Sequence, residues 1–219
     1  MGQITNTNSL HLIQNKTSNS FWYADYSFYF QILKEDFFIY LYLQTQCKLK
    51  YNILKRKHIY EVEIIKSCIY RAKQTIILNV ELIYLKNKNF KKKNVKHFIK
   101  ELFMKLKHLS YIKNNFFLLS YKVGKHTAKF TALRIATLLE KRIKFKSKSV
   151  EKLIKTVNSI GIRITCKGRL NFVDRAKKDK IAFGSVPLQV LSANVDYGFV
   201  VANTQKGLQS IKVWILYSK

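Results

Sequence analysis

The chain has 219 residues, 47% of them hydrophobic, enough for one large domain or two small ones with real cores. Its 41 Lys+Arg against 12 Asp+Glu leave a formal charge of +29, which opposes compaction unless a polyanion neutralises it. Nucleic acid is the commonest such polyanion and an acidic membrane surface its rival. The dispersed acids supply no converging set, so the chain is expected not to be an enzyme.

Cys47, Cys68 and Cys166 stand far apart, form no C-x-x-C pair and are odd in number, which fits structural thiols in a reducing compartment. The histidines (His11, His58, His97, His108, His126) add no ligand spacing, so no metal or cofactor is expected. The first residues are polar, without a secretory signal. The most apolar segment, Phe21 to Leu43, is broken by Asp25, Lys34, Glu35 and Asp36. A soluble protein without a membrane span is expected. The abundance of Lys, Asn, Ile, Phe and Tyr matches AT-rich codons, so an aromatic residue here is not by itself a base-stacking platform.

In chain order, Met1 to Ser20 reads as a polar, extended arm. Phe30, Leu33, Phe37 and Leu41 fall at helical spacing and predict an amphipathic helix of about four turns. From Ile59 to Tyr84 the texture is β-prone: Tyr60, Val62 and Ile64 alternate with Glu61 and Glu63, and Thr75 to Val80 is a dense β-branched and aliphatic run, predicting two strands of one sheet. Lys86 to Lys113 is the most basic stretch, with Val95, Phe98, Ile99, Leu102 and Leu106 tracing one helical face. Its lysines read as a solvated face, as phosphate contacts or as a membrane-surface helix.

A strand is predicted for Phe116 to Val123, then helices over His126 to Arg142 and Lys148 to Ser159, the second with Val150, Leu153, Ile154 and Val157 on one face. The remainder reads as β. Ile162, Ile164 and Cys166 alternate with Arg163, Thr165 and Lys167, so one face packs while Arg163, Lys167 and Arg169 project together as a phosphate-contacting surface. Ile211, Val213 and Ile215 alternate with Lys212 and Trp214 in the last strand, Trp214 reading as a partly buried anchor. The whole is α+β, two units in tandem with a boundary near Lys113 to Gly124.

Gly168-Arg169-Leu170-Asn171, Val186-Pro187-Leu188, Ala193-Asn194-Val195-Asp196-Tyr197-Gly198, and Gly207 followed by Ile211-Lys212-Val213-Trp214-Ile215 occur in one order with fixed gaps. This ordered set resembles the C-terminal domain of the small-subunit ribosomal protein S3 family, whose pattern runs G-R-L-N/G, R-V-P-L, A-D/K-I-D-Y and G-V-K-V-W-I. Met1-Gly2-Gln3 and Phe21-Trp22-Tyr23-Ala24 resemble the family's start and its W-F-A segment, and Leu139-Glu140-Lys141-Arg142 its L-E-R-R. The likeness covers nearly the whole chain and is poorest between Lys48 and Asn115.

The resemblance implies an N-terminal arm and helix (1–47), a type II KH domain (48–115) and the family's α+β C-terminal domain (116–219). It implies a structural constituent of the small ribosomal subunit, with a free-standing RNA-binding regulator as the alternative. Its partners would be ribosomal RNA of the head (3′ domain), messenger RNA where it enters the subunit, and the neighbouring proteins S10 and S14. Two departures qualify this. A KH domain grips backbone with a G-x-x-G loop, yet no glycine lies between Gln3 and Val123. The aligned stretch is about Asn89 to Lys92, where Lys88, Lys91, Lys92 and Lys93 can attract phosphate but cannot copy a close main-chain grip. The KH domain is therefore expected to be degenerate.

The family's F-R-R-A-M-K beside the messenger aligns with Phe145-Lys146-Ser147-Lys148-Ser149-Val150, where Lys146 matches and Lys144 and Lys148 offer replacement charge. Lys141 and Arg142 match L-E-R-R, Arg169 matches G-R-L, and Lys212 matches V-K-V-W-I; Arg163 and Lys167 come from strand geometry alone. Asp196 is expected to fix a turn or pair with an arginine. The motifs and compositional bias look like the plastid branch of the family, an apicoplast-like organelle, with a mitochondrial ribosome as the alternative.

Overall fold

A computed structural model of the chain describes residues 6–12, 18–55, 62–72, 75–84, 100–101, 104, 116–123, 127–157 and 159–218. It is a mixed α+β protein that divides into two compact units, one of Ser18–Lys125 and one joining Met1–Thr17 to His126–Lys219. The helix expected over Val95 to Leu106 and the lysine-rich stretch Lys88 to Lys93 lie outside the described residues, apart from Lys100, Glu101 and Met104.

In the first unit, β1 (Ser20–Phe21), β2 (Val62–Ala72), β3 (Thr75–Tyr84) and β4 (Phe116–Val123) form one sheet in that order. β2 and β3 pair antiparallel, while β1 joins β2 and β4 joins β3 in parallel. The alternation that predicts these strands is visible in burial: Ile76, Leu78 and Val80 are enclosed and share one face with Ile69.

A long helix, Tyr26–Lys55, lies against β2. Its packed face differs from the one expected. Phe30, Leu33, Phe37 and Leu41 are 43–67% exposed, and Ile39 and Leu43 are buried instead. Apolar side chains occur on every side of this helix, so spacing alone cannot choose the face. The choice is made by charge. Arg71 of β2 donates to Glu35 at 2.8 Å and, through Nε, to Asp36 at 2.9 Å, while the Trp22 indole donates to the other Asp36 oxygen at 2.6 Å. Asp36 is 6% exposed, and a carboxylate so buried must be paired. The acids that break the apolar segment in the sequence therefore orient the helix.

In the second unit, β5 (Gly161–Gly168), β6 (Lys177–Phe183), β7 (Val195–Thr204) and β8 (Gly207–Leu216) form an antiparallel sheet in the order β6-β5-β8-β7. The helices Ala128–Glu140 and Lys148–Lys155 pack with it around one core. That core takes Ile162, Ile164 and Cys166 from β5 and Ile211, Val213 and Ile215 from β8, alternate residues as period-two patterning requires. From the helices it takes Ala132, Ile135, Ala136, Val150 and Ile154.

The short helix Thr7–Leu10 belongs here too. Asn8 exchanges two hydrogen bonds with the Tyr197 backbone, donating to its carbonyl at 2.9 Å and accepting from its N–H at 3.1 Å. The expected polar arm is thus partly tied down as an addition to the β7 edge.

Candidate nucleic-acid interface

Helices cover one face of the β6-β5-β8-β7 sheet, and the strand register shows what stands on the other. Residues paired across antiparallel strands share a face. Arg163 is opposite Ala182 and Trp214, Thr165 is opposite Lys180 and Lys212, and Lys167 is opposite Lys178 and Ser210. On β7, Tyr197 and Phe199 lie opposite Trp214 and Lys212. The face therefore presents Arg163, Lys167, Lys178, Lys180 and Lys212 together, with aromatics toward one side.

Three of the sequence-predicted cations, Arg163, Lys167 and Lys212, meet here. The strand alternation that would have aligned Arg169 with them stops at Gly168, whose φ of 141° ends the strand. Arg169 begins the turn into Leu170–Phe172, exposed, with its carbonyl accepting from Gln209 at 2.7 Å. Lys178 and Lys180 were not singled out from sequence. Their signal was there: two lysines two apart around Asp179 on a strand point the same way.

The crowding is electrostatically costly for the free protein. Partial desolvation, then the charges of Lys167, Lys180, Arg163 and Lys212, lower the pKa of Lys178. An anion on this face relieves that repulsion, the condition under which an array of like charges becomes a binding surface.

The loop Val186–Val190 overhangs part of the face, leaving a groove of about 480 Å³ that Arg163, Lys167, Lys178, Lys212, Trp214 and the loop line. Trp214 is 4% exposed, as its reading as an anchor requires. Its ring meets Tyr197 at 5.5 Å and lies 5.8 Å from the Arg163 guanidinium carbon, a cation–π distance.

The other described candidates lie on the helical side. Lys141 and Arg142 follow the helix Ala128–Glu140, Lys144 and Lys146 flank the buried Phe145, and Lys148 opens the next helix; all five are exposed. Lys146 is 3.6 Å from Asp179, which sits opposite Cys166 in the register and so on the core side of β6. Arg142 adopts φ 62°, the left-handed position usual for glycine. Its N–H bonds Leu139 O and that of Ile143 bonds Leu138 O, closing the helix. The structure thus separates the predicted cations into a sheet-face set and a helix-side set.

Asp196 is a capping residue. One carboxylate oxygen accepts from the Ala128 N–H at 2.9 Å, the first residue of its helix, and the other from the Tyr197 N–H at 2.9 Å. Negative charge there satisfies an otherwise orphaned helix donor and complements the dipole. The sequence expectation of a turn-fixing or arginine-pairing acid does not include this capping role. Among the described residues no three His, Cys, Asp or Glu side chains are grouped to hold a metal, and no helix is long and apolar enough to cross a membrane.

Residues 135–215 match the family described as ribosomal protein S3, C-terminal domain. The small ribosomal subunit protein uS3 of Ehrlichia chaffeensis is 32% identical over 223 residues, covering 98% of this chain and 95% of the relative. That of Dictyoglomus turgidum is 30% identical over 220 residues, covering 98% and 83%. That of Rubrobacter xylanophilus reaches 41% identity over 90 residues, 40% of this chain and 41% of its own length. With the motif residues now placed on β5, β7 and β8, and relatives aligned almost end to end, the chain belongs to the small ribosomal subunit protein uS3 family.

Proposed function

We propose that the chain is a structural, non-catalytic constituent of the small ribosomal subunit that binds ribosomal RNA through the outer face of the β6-β5-β8-β7 sheet. The observation that carries this is the gathering of Arg163, Lys167, Lys178, Lys180 and Lys212 on a face that no described helix of the unit covers. Cations at strand spacing contact successive phosphates, and their worth is released counterions.

The test is incorporation. The wild-type chain should sediment with small subunits in moderate salt, where a free-standing regulator would remain in the supernatant. Lys167→Glu with Lys212→Glu should weaken binding to a ribosomal RNA fragment and lower the slope of log affinity against log salt by about 2, roughly one per phosphate contact. An unchanged slope would remove this face from the interface.

The finer assignment follows the family resemblance. The RNA is that of the subunit head, and S10 and S14 are the neighbouring proteins. Lys141, Arg142, Lys144, Lys146 and Lys148, on the helical side of the unit, face messenger RNA where it enters. By the resemblance, residues 1–47 are an arm and helix, 48–115 a degenerate KH domain and 116–219 the C-terminal domain, although the strand Phe116–Val123 pairs with β3 in the first compact unit. The KH domain attracts phosphate through Lys88, Lys91, Lys92 and Lys93 without the glycine loop's main-chain grip. The ribosome is that of a plastid, an apicoplast-like organelle, supported by the composition; a mitochondrial ribosome is the alternative. Arg169→Glu should impair incorporation more than Lys92→Glu, and equal effects would reverse the ranking.

A further inference from the structure

The groove beneath the Val186–Val190 loop has two unlike ends. The register places Lys167 and Lys178 side by side at one end, Lys212 beside Thr165 in the middle, and Arg163 beside Trp214 at the other. Over it stand the half-buried Pro187 and Leu188. A phosphate site alone would not need the apolar half. The indole N–H of Trp214 adds a second, independent observation. The side chain is 4% exposed, it lines the groove, and among the described residues its Nε1 finds no acceptor. Buried donors in folded proteins are nearly always paired, and here no described residue supplies the partner.

We infer that the groove takes one unpaired ribonucleotide, its phosphate held by Lys167, Lys178 and Lys212 and its base lodged between the loop and Trp214, with a base oxygen or nitrogen accepting from the indole N–H. This deepens the ribosomal RNA reading and rests on it. The volume of about 480 Å³ falls within the roughly 300–1,000 Å³ of small-ligand sites, too confined for a duplex. Unpaired bases splayed onto aromatic and cationic side chains are how proteins read RNA that is not helical. Charge selects against a neutral or basic peptide. An acidic peptide would satisfy the lysines but gives no reason for the apolar end.

The experiment uses the full chain and four probes: a uridine pentanucleotide, the same oligomer abasic at every position, an RNA duplex and a hexaglutamate peptide. The wild-type protein should bind the pentanucleotide about tenfold more tightly than its abasic counterpart, about what one stacked base contributes. Trp214→Phe, which keeps a ring and deletes the donor, should remove roughly five- to tenfold of affinity for the pentanucleotide alone. Leu188→Ser, on the loop and away from the core, should do the same even if Trp214→Phe perturbs folding.

Equal binding of the abasic oligomer by the wild type would overturn the inference, as would variants that weaken every probe alike. Hexaglutamate binding that Leu188→Ser reduces would overturn it in favour of a protein segment. Failure of both RNA forms to bind at about 50 mM salt would instead sink the ribosomal RNA reading. Duplex binding retained without base dependence would sink the groove alone.

Discussion

Gly198 allows a sharp test of how the second unit holds together. A Cβ built on it would lie 2.4 Å from the carbonyl carbon of Ala128 and 2.5 Å from its oxygen, both backbone atoms that cannot rotate away. Carbon atoms pack at about 3.5–4.0 Å, so Gly198→Ala must push the start of the helix Ala128–Glu140 off β7 by about 1 Å. The Asp196–Ala128 hydrogen bond, 2.9 Å in the native protein, would then exceed hydrogen-bonding range. Overpacking costs about 1–3 kcal/mol and loss of a hydrogen bond to a charged group about 1.5–3 kcal/mol, so the substitution should destabilise the unit by about 3–5 kcal/mol. Because the chain has two units, the readout should be local: urea-dependent hydrogen exchange of peptides spanning β7 and β8. Asp196→Asn is the control: it keeps the side chain's shape and adds no atom against the helix, but it retains only one of the two acceptor oxygens and no charge, so it should cost about 1.5–3 kcal/mol, less than Gly198→Ala. If Gly198→Ala costs under about 1 kcal/mol, the close approach of helix to strand is not what demands glycine.

Two further outcomes follow from single residues. Burial, with the nearby Asp179 charge, pushes the Cys166 thiol from its ordinary 9.0 to about 12. The unfolded chain therefore loses this proton first, and stability present below pH 9 falls between about pH 9 and 12 at up to about 1.4 kcal/mol per unit. Urea midpoints across that range should flatten by this amount in Cys166→Ala, and an unaltered slope would contradict the assignment. Arg142, at φ 62°, bears about 1–2 kcal/mol of left-handed strain, part of which glycine returns as unfolded-state entropy. Arg142→Gly should raise thermal stability by about 0.5 kcal/mol while weakening RNA binding; a fall in stability would refute the strained-turn reading.

What could be read from sequence is what alternation dictates. β5 and β8 follow their predicted faces residue by residue, because a sheet with one packed face permits only one phase. The grouping of Arg163 and Lys167 came from the same rule, and Lys178 and Lys180 were open to it. Three things were not legible. The packed face of the helix Tyr26–Lys55 is chosen by the buried Asp36–Arg71 pair across 35 residues of sequence, an interaction with no local signature. The partner of β4 is β3, a parallel pairing that spacing cannot announce. Asp196 reaches Ala128 across 68 positions, and its capping role exists only once the chain has folded.

The identifying motifs also have a physical division of labour. In Asp196-Tyr197-Gly198, Asp196 and Gly198 turn toward the helix Ala128–Glu140, one capping its start and one making room for its backbone. Tyr197 turns the other way, against Trp214. In Ile211-Lys212-Val213-Trp214-Ile215 the three aliphatic residues enter the core while Lys212 and Trp214 line the groove. Each strand thus carries folding on one parity and recognition on the other, and a slip of one residue would exchange them, sending Lys212 into the core and Val213 to solvent. Substitutions on the core parity should therefore change stability and carry RNA affinity with it. Those on the outer parity should change affinity at nearly constant stability, Trp214 and Thr165 excepted, because both are buried and line the groove.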